Sequence, residues 1–241
     1  MTGPTARGAE TLRWLERRGT RKNREGMARY GLPKERAFGV SVGDLQRHAR
    51  TLGRDHDLAQ ALWDTGWYEA RMLAAFIDQP ERVTSAQMDR WARDFDNWGI
   101  CDTVIMHLFD RTPYAWRKVP VWCGRQGEFV RRAGFALLAS LALHDQTSSD
   151  TPFLGAMKLI RKASTDDRNF VKKGVNWALR SVGQRSAVLH AAAISLAQDL
   201  AREEAATPRW IGRDALRDLN RPLVRKRVAA KDRKRTAKAK S

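Results

Sequence analysis

Residues 129–140 read FVRRAGFALLAS and residues 170–181 read FVKKGVNWALRS. Both open on Phe-Val, follow with two cations, and continue with apolar residues at three- and four-residue spacing, the period of one helix face. Three further segments share the aromatic start: WYEARMLAAFI from Trp67, WGICDTVIMHLF from Trp98 and WIGRDALRDLN from Trp210. The five starts lie 31, 31, 41 and 40 residues apart, room each time for two helices and their turns. Units of that size bury their apolar faces only against their neighbours. The intervals therefore predict an all-α chain of HEAT-like helical repeats forming a curved α–α superhelix.

The rest of the chain agrees in class. Helical periodicity also covers 57–63, 69–77, 103–109, 153–163, 187–201 and 211–219, and no alternating β-branched run is bounded by hairpin residues. Ser41, Thr84, Thr112 and Asp166 are expected helix starts, and ten to twelve helices are expected in all. One helical-repeat domain is expected over 1–222, followed by a basic, disordered tail over 223–241.

Charge narrows the partner. The 241 residues hold 45 Lys and Arg against 27 Asp and Glu, a formal charge of +18 and a pI near 10.8. Residues 221–241 carry ten of those cations and one acid, Asp232, so the body is basic even without the tail. Such a balance favours a polyanionic partner: nucleic acid, an anionic membrane surface or an acidic protein. No stretch approaches the roughly 18 apolar residues of a membrane span, and the first residues have no apolar run of signal-peptide type. The expectation is a cytoplasmic protein. Cys101 and Cys123 lie far from any metal-ligand spacing and read as reduced thiols. His107 and His144 have no partner at metal or triad spacing, and no phosphate loop or nucleophile elbow is present. No metal site is expected.

The aligned segments place cations at one helical phase. Arg132, Lys173 and Arg213 fall three residues after their aromatics and Arg71 falls four after Trp67. Stacked helices would bring them into a basic stripe along one surface, suited to a duplex with a phosphate every ~1.7 Å of axis. Asp102 is an acid amid that array, one turn after Trp98, and residues four apart share a helix face. Trp177, in the fourth segment, supplies a second indole.

The runs DNWGICDTV (96–104), EFVRRAGFALLASLALHD (128–145) and NFVKKGVNWALRSVG (169–183) resemble the AlkD-like DNA alkylation repair enzymes. These are HEAT-like repeat glycosylases acting on cationic alkylated purines. The likeness runs from about Arg29 through Leu219. It implies that Trp98 and Trp177 are the family's aromatic pair, Asp102 its catalytic carboxylate and Arg132 its backbone-binding arginine, with Tyr30 facing the lesion. Ser41, in AFGVSVG (37–43), stands where some members carry Gln. The resemblance also implies double-stranded DNA with alkylated bases as partner, gripped by backbone and deoxyribose, with no cofactor, no obligate protein partner and a monomeric state.

The chemistry suits those residues. Breaking an N-glycosidic bond builds positive charge on the sugar, which a carboxylate offsets where water is excluded. At ~4 Å and an effective dielectric of ~20 that attraction is about 4 kcal/mol, roughly a thousandfold in rate. A cationic alkylated purine leaves without a general acid, so one carboxylate suffices, and indole faces favour an electron-poor sugar or base. Two other readings stay open at this point: a non-catalytic binder of unusual DNA or RNA structures, and a protein–protein scaffold.

Overall fold

In the computed structural model, residues 6–239 are described. The chain forms two compact units, Met1–Tyr114 and Ala115–Ser241, where the sequence reading placed one domain over 1–222. The first contains α1 (Ala6–Arg18), α2 (Arg21–Met27), α3 (Val42–Leu52), α4 (His56–Asp64), α5 (Tyr68–Ile77), α6 (Ser85–Arg93) and α7 (Trp98–His107), with short 3-10 turns at Ala28–Tyr30 and Phe109–Arg111. The second contains α8 (Ala115–Cys123), α9 (Glu128–His144), α10 (Thr151–Ala163), α11 (Asn169–Gly183), α12 (Ala187–Arg202), α13 (Ala206–Leu219) and α14 (Pro222–Ala239). The described residues are thus all-α, with fourteen α-helices where ten to twelve were expected. No described helix is long and apolar enough to cross a membrane.

The repeat appears as helical pairs. In the second unit α8 packs on α9, α10 on α11 and α12 on α13, while α9, α11 and α13 lie side by side. In the first, α4 packs on α5, and α3, α5 and α7 lie side by side. The rings of Phe129 and Phe170, equivalent in the aligned segments, have centroids 5.1 Å apart. Helix α9 is buried along its whole middle, Arg132 to Ala142, because helices cover it on more than one face. Close approach there needs small residues: a Cβ on Gly134 would sit 2.5 Å from the Cys123 amide nitrogen. Cys101 and Cys123 are both buried thiols, and burial pushes the Cys123 thiol up to about 12.

In the first unit the core is aromatic. Trp63 and Trp91 stack at 3.9 Å and 2°, and the Trp63 indole donates to Asp94 at 2.8 Å. Side-chain caps start most of its helices: Thr20, Ser41, Asp55, Thr84 and Asn97 each accept an amide from the first turn that follows. Ser41 and Thr84 therefore start helices as expected. Thr112 instead closes a 3-10 turn, and Asp166 lies in the loop before α11, bonded to Arg168. The helices absent from the sequence reading are short or polar, such as α2, or contain an internal proline, as α8 does at Pro120.

The basic tail differs from expectation. Its described part is helix α14, whose Val224 and Val228 are buried against α12 and α13. Four-residue spacing puts these valines in one column, an apolar anchor that net composition hides. Residues 240–241 of that tail, like residues 1–5, lie outside the described residues.

Candidate nucleic-acid interface

Trp98 and Asp102 both sit on α7, one turn apart and each half-buried. The start of that helix is held by several groups. Asn97, 1% exposed, caps it by accepting the Ile100 amide at 2.9 Å. The Trp98 indole donates to the Tyr30 carbonyl at 2.8 Å. Gly99 packs so tightly that a Cβ there would lie 2.6 Å from the Tyr68 hydroxyl and 2.9 Å from a Leu32 methyl. The Tyr68 phenol is pushed up to about 12 by burial, so it stays protonated. Tyr30 is joined to Trp98 through its backbone, and its own side chain is 68% exposed.

The buried residue Glu69, 0% exposed, was absent from the sequence reading. Its carboxylate accepts the amides of Phe38, Gly39 and Val40 at 2.9, 2.7 and 3.1 Å. It thereby fixes the turn of AFGVSVG on α5, and Phe38 stacks on Trp67 at 4.3 Å. Nothing local in the sequence marks Glu69, whereas Asn97 has the ordinary signature of a cap before an apolar run. Ser41 serves as the α3 cap and also donates to the Asp44 carboxylate at 2.8 Å.

The expected stripe of projecting cations is corrected at two positions. Arg71 is drawn inward: its guanidinium lies 5.0 Å from the Trp63 ring centroid and donates to the carbonyls of Trp63 and Asp94 at 3.4 and 3.3 Å. Arg132 is 7% exposed and donates to the Phe170 carbonyl at 2.9 Å. In both cases the arginine donates to backbone carbonyls of a packed neighbour instead of projecting into solvent. Lys173 and Arg213 are exposed, as the stripe requires.

Arg132, Trp177, Lys173 and Arg213 all belong to the second unit, on α9, α11 and α13. Gly174 lies against Arg132, with ordinary contacts of 3.5 and 3.6 Å available to a Cβ. Trp177 is half-buried and three residues further on, so it shares that side of α11. Asp214, which holds the same phase as Asp102 in the aligned segments, accepts from Asn176 at 2.6 Å and pairs with Arg217. Arg131 and Arg168 converge on Asp166, at 2.7 and 2.6 Å. Arg168 first, then Arg131, hold that carboxyl down at about 2. Exposed Lys173, half-buried Lys172 with its ammonium 5.2 Å from the Trp210 ring, and exposed Arg213 leave this surface positively charged.

A family model described as DNA alkylation repair enzyme matches residues 11–219. The chain belongs to that family. One solved structure is similar to this DNA alkylation repair family member over 91% of this chain and 95% of its own, at 20% identity and a TM-score of 0.77. It is described as representing a new family of proteins related to the HEAT-like repeat DNA glycosylases with affinity for branched DNA structures. At that identity the likeness establishes the HEAT-like repeat fold. No curated protein matches the chain.

Proposed function

We propose that this family member binds double-stranded DNA and releases cationic alkylated purines, 3-methyladenine and 7-methylguanine, by hydrolysing the N-glycosidic bond. The observation that carries the reading is the Trp98–Asp102 pair, one turn apart on a helix start held by Asn97, Tyr30 and Gly99. Catalysis by charge stabilisation needs its carboxylate fixed before the reaction begins, and α7 supplies that rigidity.

As the glycosidic bond breaks, its electron pair leaves with the already cationic purine, which departs neutral. The sugar takes up positive charge, the Asp102 carboxylate offsets it, and water adds to the anomeric carbon and gives up a proton to solvent. Trp98 offers an indole face to the electron-poor sugar; in the second unit Trp177 offers an aromatic face to the DNA, and Lys173 and Arg213 contact phosphates. Tyr30 acts through its exposed ring at the lesion, and Arg132 and Arg71 support the surface that meets the backbone. The chemistry needs no cofactor, and the protein acts as a monomer.

The test is release of free purine from methylated duplex. Asp102→Asn should cut release by about a thousandfold while duplex affinity is kept; equal release by that variant removes Asp102 from the chemistry. A second reading is supported by the description of the similar structure: binding of branched DNA without base release. Under it, wild-type protein frees no purine yet prefers a four-way junction to linear duplex of the same sequence.

A further inference from the structure

Helix α14 presents one face to the protein and a different chemistry to solvent. Val224, Val228 and Lys231 follow one another at four- and three-residue spacing and form a column toward α12 and α13. Val224 and Val228 are buried, and the Lys231 ammonium donates to the Gln184 carbonyl at 2.9 Å. Gln184 ends α11, so a cation sits on the negative end of a helix. The neighbouring Asp232 accepts the Ala187 amide at 3.3 Å. Ala187 begins α12, so an anion sits on the positive end of the next helix. Two adjacent residues of opposite charge thus meet two helix termini of opposite polarity, and that match fixes the rotation of α14 about its axis.

With the rotation fixed, Lys226 and Arg233 fall on the side away from the valines, flanked by Arg225 and Arg227, and all four are exposed. The single acid of residues 221–241, Asp232, is spent on the docking contact. Free helices do not hold such charge aligned, since like charges along one face repel; the apolar column and the two terminal contacts stabilise it here. A row of cations on an ordered helix suits phosphates, because binding them does not first require a mobile chain to be ordered.

We infer that α14 is a folded phosphate-binding arm that contacts the backbone of duplex DNA through Arg225, Lys226, Arg227 and Arg233. The inference rests on the DNA-binding part of the proposed function and is independent of base release. It assigns the basic C-terminal segment a defined surface, where a disordered tail would give only nonspecific attraction.

The test measures affinity of the full chain for unmodified duplex from 50 to 200 mM salt. The variant replaces Arg225, Lys226, Arg227 and Arg233 with Gln; these exposed sites leave Val224, Val228, Lys231 and Asp232 intact, and circular dichroism checks the helix content. A control replaces Lys158, Arg161, Lys162 and Arg202 with Gln, four exposed cations of α10 and α12. The arm variant should lose about 3.6 from the slope of log affinity on log salt, since each of the four phosphate contacts contributes about 0.9. The control should lose less than about 1. An unchanged slope, or equal losses in both variants, overturns the arm. Purine release from methylated duplex is read in parallel. Normal release with an unchanged slope sinks the arm alone, and no release from wild type sinks the excision reading while leaving the slope comparison intact.

Discussion

Trp98 donates its indole N–H to the carbonyl of Tyr30 at 2.8 Å, joining the first turn of α7 to a short turn 68 residues earlier in the chain. The acceptor is backbone, so the bond does not depend on what side chain position 30 carries. Tyr30→Phe should leave stability within about 0.5 kcal/mol of wild type, as surface changes usually do. Trp98→Phe keeps an aromatic ring but loses the donor, and should cost about 1 kcal/mol. Urea unfolding of both variants checks this. A larger loss for Tyr30→Phe would show that the phenol, 68% exposed, has a structural role.

Two glycines near the candidate interface should respond with opposite sign to the same substitution. Gly99→Ala forces a methyl within 2.6 Å of the Tyr68 hydroxyl and 2.9 Å of Leu32. Overpacking of that kind costs about 1–3 kcal/mol, and here it also displaces the turn that carries Trp98 and Asp102. At Gly174 the same methyl meets only ordinary contacts, at 3.5 Å or beyond. Gly174→Ala should stabilise α11 by about 0.5–1 kcal/mol. Thermal unfolding of the pair reads both signs at once.

Glu69 is fully buried and holds three backbone amides. Glu69→Gln replaces one acceptor oxygen with an NH2 group that faces amide donors. The expected loss is about 2–3 kcal/mol, the range for hydrogen bonds to a charged group and for buried donors left unmet. Faster amide exchange at Gly39 and Val40 should accompany it. A variant with unchanged unfolding midpoint would mean the 38–40 turn is held by the Phe38–Trp67 stack instead.

Asp166 carries a pH signature. Its carboxyl is held at about 2, down from 3.8, chiefly by the bond from Arg168 and then by Arg131. A depressed acid contributes stability that is complete above the unfolded value near 4 and lost as pH falls through about 2. Asp166→Asn should therefore be less stable than wild type at pH 7, by about 1 kcal/mol after solvent screening of the ion pairs. The gap should close as pH falls from about 4 to 2. A constant gap across that window would exclude ionisation of Asp166 as its source.

Class and repeat were legible in the chain because they depend on spacing. Five aromatic-led segments at intervals of 31 to 41 residues, with apolar positions at helical period, can bury their faces in few ways other than side-by-side helical pairs. The Trp98–Asp102 pairing was legible for the same reason, since both lie on one helix and the helix repeat alone puts them on one face. Local cap chemistry also read correctly at Ser41 and Thr84.

Tertiary structure decided what no local pattern encodes: which cations face water and which satisfy a carbonyl. Arg71 and Arg132 occupy nearly the same helical phase as exposed Lys173 and Arg213, yet packed neighbours offer them the carbonyls of Trp63, Asp94 and Phe170. Glu69 is invisible as an anchor until the turn at 38–40 arrives from thirty residues away. The basic segment after Arg221 reads as a solvated arm by composition, because Val224 and Val228 count for little until α12 and α13 cover them. Spacing along a chain specifies helices and their faces. Burial of a charge depends on partners distant in sequence, and only the folded chain brings those partners together.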